Sequence, residues 1–131
     1  MQIFEKDNLE IKRMTKGKLP SLPFVRIKEE IIGKDYELSI TFVNKKTIED
    51  LSLRFKKNKD HKNILSFPIT KNSGEIILNL ETIRIEAKNF DKKYINYLGF
   101  LVIHGILHLK GMTHGSKMES MEKKFVKMFN L

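Results

Sequence analysis

The feature that most constrains this chain is a run of eleven residues that contains three of its four histidines, His104-Gly-Ile-Leu-His108-Leu-Lys-Gly111-Met-Thr-His114. Residues four apart on a helix share a face, with Cβ atoms about 5–6 Å apart, so His104 and His108 can point at one ion. A left-handed glycine at Gly111 would end the helix and turn His114 toward the same point. Because three neutral imidazoles suit zinc and leave a fourth position open, the pattern predicts one zinc ion per chain at a catalytic site.

The same histidine spacing occurs in the metzincin proteases, whose motif is His-Glu-x-x-His-x-x-Gly-x-x-His. In those enzymes the glutamate after the first histidine is the general base for peptide hydrolysis. This chain has Gly105 at that position, and glycine cannot accept a proton. The ligand spacing is therefore protease-like, whereas the protease chemistry is missing.

Composition narrows the choice of substrate. The chain has 131 residues, which suits a single domain over residues 1–131, and a formal net charge of +9. Such a charge favours a polyanionic partner, and nucleic acid is favoured over a membrane because no basic amphipathic helix with an aromatic face stands out. The chain lacks cysteine, a signal-peptide pattern and an apolar stretch long enough for a membrane span. We therefore expect a cytoplasmic protein with no membrane partner.

The positive charge is concentrated at the end of an expected helix and in the residues that follow it. Residues 54–62 contain five lysines or arginines and one acid, and they precede the apolar run 64–68. Charge runs often only keep a surface in solution, and we interpret His61 as a solvated loop residue. Beside a metal site, however, the cluster would bind phosphates, with Lys57 and Lys59 among its contacts.

Hydrophobic periodicity predicts an α+β order of short strands and about five helices. Asn44 is expected to cap the second helix, and Ser116-Lys-Met-Glu119 reads as a capping box that opens the last one. The expected strands are residues 2–5, 36–43, 64–67 and 75–79, and the expected helices are 21–32, 44–56, 80–89, 91–110 and one from 116 onward.

Three motifs together resemble the YbeY family of bacterial metal-dependent endoribonucleases. The family signature His-Gly-x-Leu-His-Leu-x-Gly-Tyr-Asp-His matches residues 104–114 except at Met112-Thr113. Asn63-Ile-Leu-Ser-Phe-Pro68 resembles a second family motif, and Gly74-Glu75-Ile76 stands where Gly-Asp-Ile is usual. Order and spacing agree from about residue 36 to residue 125, so the resemblance covers most of the chain.

The resemblance implies an α+β fold with a small mixed sheet packed against the helices, a zinc ion held by the three histidines, and hydrolysis of single-stranded RNA. It also implies maturation of the 3′ end of the small-subunit ribosomal RNA, and work on the small ribosomal subunit alongside a ribosomal protein and a ribosome-assembly GTPase. By the same resemblance, a functional arginine is expected in the helix before the second motif. An ungapped match puts Lys56 there, two residues after Arg54, so either residue is a candidate for neutralising charge on the phosphate.

Two departures from the family pattern bear on the chemistry. Lysine offers a point charge where arginine offers a planar fork, so Lys56 would lose bidentate stabilisation. Thr113 replaces an acid that would orient a metal ligand. Asn63 and Ser66 are expected to line a cleft at the metal site and to contact RNA. The alternative is that they only cap turns, as such residues often do.

Three function classes remain open at this point. The first is a metal-dependent ribonuclease, the second is a ribosome-assembly factor whose metal is mainly structural, and the third is a metalloprotease, which Gly105 disfavours. The nucleophile is also open between a hydroxide and the 2′-hydroxyl of the RNA.

Overall fold

A computed structural model describes residues 1–55 and 63–131 and contains five strands and five helices within them. The predicted α+β class is confirmed. The strands are Gln2–Lys6 (β1), Leu9–Arg13 (β2), Glu37–Phe42 (β3), Ile64–Thr70 (β4) and Ser73–Leu78 (β5). The helices are Phe24–Ile32 (α1), Lys45–Arg54 (α2), Leu80–Asn89 (α3), Tyr94–Leu109 (α4) and Ser116–Met128 (α5).

The strands form one mixed sheet in the order β1-β2-β3-β5-β4. β1 and β2 are antiparallel, β3 runs parallel to both β2 and β5, and β4 pairs antiparallel with β5 as an edge strand. Ser66 stands opposite Ile76 in this last pair. The edge position of β4 matters because α4 lies against it.

The two faces of the sheet carry separate apolar clusters, because successive side chains of a strand point to opposite faces. On one face, Ile64 and Ile76 belong to the main core, which includes α1, α3, α4 and α5. On the other face, Leu65 and Ile77 pack with Ile48 of α2 in a smaller cluster. Helices α2 and α4 therefore cover opposite faces of β4.

Helix α4 is apolar around most of its circumference, and nine of its sixteen residues are buried. It approaches β4 and β5 most closely at Gly105, where the Ser66 Oγ donates a hydrogen bond of 3.3 Å to the Gly105 carbonyl. A Cβ added at Gly105 would lie 2.9 Å from Ile64 Cδ1 and 3.2 Å from Ile76 Cδ1. Glycine at this position lets the helix that carries the histidines sit directly on the sheet.

Several element boundaries differ from those predicted. Strand β2 was not expected, since Leu9 and Ile11 are its only apolar residues and its place between β1 and β3 depends on long-range pairing. The predicted capping box is wrong: Ser116 is already helical, Gly115 precedes it as the cap, and no side-chain cap bond forms. Helix α4 begins at Tyr94 rather than 91, because Asp91 has a left-handed φ of 54° at the end of the preceding turn.

Other predictions at this level hold. The Asn44 side chain accepts a 2.8 Å hydrogen bond from the Thr47 amide, which confirms it as the cap of α2. That helix ends at Arg54, with Phe55 as its C-cap. Within the described ranges, no helix has both the length and the apolar character needed to cross a membrane.

The close approach at Gly105 leads to a stability prediction. We expect Gly105→Ala to lower the free energy of unfolding by about 1 kcal/mol, because overpacking costs about 1–3 kcal/mol and exceeds the gain of about 1 kcal/mol in helix propensity. The matched control is Gly99→Ala in the same helix, whose added Cβ would have its three nearest contacts, at 2.5, 3.0 and 3.2 Å, all in the half-buried Leu131 side chain. That side chain can turn aside, so the control should be as stable as the parent or slightly more stable. Urea denaturation measures both, and a Gly105 variant no less stable than the Gly99 variant would contradict the packing argument.

Candidate metal centre

Helix α4 places His104 and His108 on one face, as their spacing predicts. Their Nε2 atoms lie 3.0 Å apart, and both side chains are partly buried. In a tetrahedral zinc site with Zn–N distances of about 2.0–2.1 Å, ligand nitrogens are about 3.3 Å apart. The two imidazoles are therefore positioned to share one ion.

The turn after α4 brings the third histidine to the same place. Gly111 has a φ of +100°, its amide donates to the His108 carbonyl at 2.9 Å, and the Met112 amide donates to the Leu107 carbonyl at 3.1 Å. These two bonds form a Schellman motif, the helix ending that a left-handed glycine favours. One ligand nitrogen of each histidine, His114 included, lies within 4.8 Å of those of the other two. The prediction that Gly111 would turn His114 toward the pair is confirmed.

The hydrogen bonds of the first two histidines orient them toward a metal. His108 Nδ1 lies 3.0 Å from the Met112 carbonyl, which can only accept, so this nitrogen carries the proton. His104 Nδ1 lies 2.8 Å from Glu122 Oε2, and the same assignment follows from the carboxylate. In the neutral imidazoles, both Nε2 atoms then present a lone pair to the shared point. Outer hydrogen bonds of this kind are typical of metal-binding histidines.

Burial favours the neutral, metal-binding form of His108. Burial lowers the pKa of His108, and the nearby His104 and His114 also lower it. The hydrogen bond to the Met112 carbonyl and the Glu122 carboxylate act in the opposite direction, but the net shift is downward. A lowered pKa means that the imidazole loses its proton more readily, and a metal needs that unprotonated form.

Glu122 contacts a candidate metal ligand, and the sequence analysis missed it. Thr113, where the family pattern has an acid that could orient a ligand, is exposed. Glu122 supplies the carboxylate from α5, where it is buried at 8 % exposure on the same helix face as Met118 and Phe125. An acid on an apolar helix stripe needs a partner, and this pattern was the available signal.

The other predicted site residues have different positions. The Ser66 hydroxyl donates a hydrogen bond to the Gly105 carbonyl, and the Asn63 side-chain amide donates one of 2.9 Å to Glu86 Oε1. Both residues therefore tie β4 to neighbouring helices. Arg54 is exposed at the end of α2, on the other side of the sheet from the histidines. Lys56, Lys57 and Lys59, as well as His61, lie outside the described residues.

Comparison with known proteins is decisive at this point. A sequence model described as Endoribonuclease YbeY matches residues 4–130. The chain belongs to the YbeY endoribonuclease family. The resemblance predicted from the three motifs is thereby confirmed, and the family is one of RNA-cleaving hydrolases by its name.

Individual relatives named YbeY match this chain over similar lengths. Endoribonuclease YbeY of Staphylococcus carnosus (strain TM300) is 30% identical over 107 residues, which cover 72% of this chain and 70% of that protein. The Staphylococcus aureus (strain JH9) protein of the same name is 29% identical over 109 residues, with the same coverage. The solution structure of TM1509 from Thermotoga maritima superposes with a TM-score of 0.62 at 25% identity, over 89% of this chain and 87% of that one.

The role of Glu122 can be tested through metal affinity. We expect Glu122→Gln to weaken zinc binding about 10-fold or more, because the amide keeps the side-chain shape and loses the charge that makes His104 a better ligand. Glu119→Gln, an exposed position on the same helix, is the matched control and should bind zinc like the parent. Competition titration against a zinc chelator at fixed pH measures both. Equal affinities for the two variants would show that Glu122 has no part in the centre.

Proposed function

We propose that this protein is a zinc-dependent endoribonuclease that cleaves single-stranded RNA, formed by one domain over residues 1–131. Its proposed task is maturation of the 3′ end of small-subunit ribosomal RNA in the cytoplasm, as part of ribosome biogenesis. One observation carries the proposal: three imidazole nitrogens converge within 4.8 Å in a chain of the YbeY endoribonuclease family. The proposed partners are the small ribosomal subunit, a ribosomal protein and an assembly GTPase.

His104, His108 and His114 would hold the zinc ion. When bound there, zinc would supply a Lewis acid for a phosphoryl oxygen and lower the pKa of water, and either effect can promote RNA hydrolysis. Three histidines leave a fourth position for water or substrate, as in other catalytic zinc sites. The donor set therefore fits a catalytic metal.

Groups of the protein itself orient the histidines, and part of the site is exposed to solvent. Glu122 and the Met112 carbonyl hold the protons at the Nδ1 atoms of His104 and His108, so both Nε2 atoms stay available. His114 is exposed, and the turn that carries it lines a surface cavity of 680 Å³. An RNA phosphate can therefore reach His114 from solvent.

Positive charge would complete the proposed site. Lys56 or Arg54 is proposed to neutralise charge that develops on the phosphate, and Lys57 and Lys59 to hold flanking phosphates. Asn63 and Ser66 stay proposed RNA contacts, although their side-chain hydrogen bonds to α3 and α4 favour a structural role.

The structure disfavours a protease. The position that would carry the general base of a metzincin is Gly105, and it is buried against Ile64 and Ile76. A glutamate there would bury an unpaired charge among apolar side chains, at a cost on the order of several kcal/mol. The remaining alternative is an assembly factor with a structural metal, and only activity separates it from the nuclease.

The first test is cleavage of single-stranded RNA by zinc-loaded protein. The parent should bind about one zinc per chain and cut the RNA, whereas His108→Ala should lose both properties. His61→Ala replaces the one histidine outside the motif and should behave like the parent. Metal analysis and gel assays report the two properties separately. Stoichiometric zinc without any cleavage would favour the assembly factor, and cleavage of unstructured peptide would favour the protease.

The second test concerns the charge near the phosphate. If Lys56 stabilises the transition state, Lys56→Ala should slow cleavage about 100-fold with its zinc retained, since it is not a ligand. Lys56→Arg should keep the rate or raise it, because arginine adds a fork for the phosphate. Arg54→Ala is the decisive comparison. Slow cleavage by the Arg54 variant together with a parental rate for Lys56→Ala would assign the role to Arg54, and parental rates for both would remove this part of the mechanism.

A further inference from the structure

A second cavity, of 390 Å³, opens on the surface of α4 on the side away from the His114 turn. Its polar lining is provided by Lys92, Lys93 and Asn96, and its aromatic lining by Tyr97 and Phe100. Both lysines are exposed and Asn96 is partly exposed. We call this cavity the lysine–aromatic pocket.

The lysine–aromatic pocket lies next to the candidate metal centre, because one of its lining residues, Phe100, contacts His104. Tyr97, Phe100 and His104 follow one another at helical spacing on the same side of α4. The Tyr97 and Phe100 rings are nearly parallel, at 17°, with centroids 6.5 Å apart. The Phe100 centroid lies 6.1 Å from that of His104. A group bound against Phe100 would therefore be a direct neighbour of a group bound at the histidines.

The pocket combines positive charge with aromatic faces. Lys92 Nζ lies 6.0 Å from the Tyr97 ring centroid and 5.7 Å from that of Phe100, both within the range of cation–π attraction. Lys93 adds a second positive charge at the rim. Proteins that hold single-stranded nucleic acid use this combination, because cations track phosphates while aromatic rings stack on bases.

The aromatic wall is held in place from behind. The Tyr97 hydroxyl donates a 3.1 Å hydrogen bond to Glu86 Oε1, which also accepts from Asn63. Burial, together with the Glu86 carboxylate, raises the pKa of Tyr97 to about 12, so the phenol stays neutral and keeps this bond. Phe100 packs beside this fixed ring and is only partly buried. A preorganised wall loses little conformational freedom on binding.

We propose that the lysine–aromatic pocket is a nucleobase subsite, which binds the nucleotide next to the phosphate held at the metal centre. The base stacks on Phe100, Lys92 and Lys93 neutralise the flanking phosphates, and the Asn96 amide hydrogen-bonds the base edge. This inference rests on the proposed ribonuclease function, to which it adds where the substrate binds. An acidic peptide would use the lysines but would have no need of an exposed aromatic face.

The test uses the full chain and a short fluorescein-labelled single-stranded RNA, with binding followed by fluorescence anisotropy in a chelating buffer that prevents cleavage. Phe100→Leu keeps an apolar side chain and removes the aromatic face, so it should weaken binding about 5-fold. The matched control is Phe4→Leu, a partly exposed aromatic residue on β1, which should bind like the parent. An affinity of Phe100→Leu equal to that of the parent would overturn the subsite.

A set of RNAs that each carry one abasic nucleotide then identifies what stacks on Phe100. The parent should lose about 5-fold in affinity at one abasic position, and Phe100→Leu should lose nothing further there. Equal losses for both proteins at every position would overturn base stacking. So would competition by poly-glutamate as effective as that by RNA, because it would mean that charge alone is recognised.

A second pair of variants covers the case in which Phe100→Leu does not fold, as judged by circular dichroism. The double variant Lys92→Gln, Lys93→Gln should reduce the slope of log affinity against log salt by about 1.4, the value for two phosphates of a single strand. The control double variant Lys6→Gln, Lys71→Gln replaces exposed lysines that do not line the pocket and should change the slope less. Equal changes would overturn the subsite.

Cleavage assays on the same proteins separate this inference from the proposed function. Parent protein that binds RNA with the predicted abasic pattern but does not cut it, when loaded with zinc, would leave the subsite intact and remove the nuclease. Parent protein that cuts RNA while Phe100→Leu binds and cuts equally well would keep the nuclease and remove the subsite.

Discussion

The contact between α4 and the edge strand β4 at Gly105 is the constraint on which the rest of the site depends. Ser66 bonds to the Gly105 carbonyl, and Ile64 and Ile76 fill the space that a side chain would occupy. Gly105 follows His104 directly and precedes His108 by three residues, so seating this residue on the sheet fixes the rotation of α4 and with it the directions in which both histidines point. A glycine that cannot act as a base thus has a structural reason to stand between two candidate metal ligands.

The metal centre draws on three parts of the chain that meet only in the folded protein. Helix α4 supplies two candidate ligands, the Schellman turn supplies the third, and α5 supplies the Glu122 carboxylate beside His104. Glu122 is a buried acid, and its favourable place depends on the imidazole it contacts. The packing of α5 against α4 therefore also affects the orientation of His104. Met118 and Phe125 contribute apolar contacts to that packing.

Basic and aromatic groups lie on two sides of the centre. On one side the lysine–aromatic pocket extends along α4 from His104. On the other, β4 separates the histidines from α2 and from Arg54 at its end, since the two helices cover opposite faces of the sheet. Any contact of Arg54 with RNA at the histidines would have to pass around this edge strand. The Asn63–Glu86–Tyr97 hydrogen bonds join the start of β4 to the pocket wall, so both sides share one rigid support.

Local rules were enough for the features that depend on residues close together in the chain. The i, i+4 pair, the glycine turn and the Asn44 cap are set by helix geometry, so the sequence alone predicted the three converging histidines and the family to which they point. The tertiary structure decided what lies between distant segments: β2 exists because its neighbours pair with it, Glu122 reaches His104 across eighteen residues, and Arg54 lies beyond the sheet. Such contacts depend on how helices and strands pack against one another. The hydrophobic periodicity of a single segment does not determine that packing.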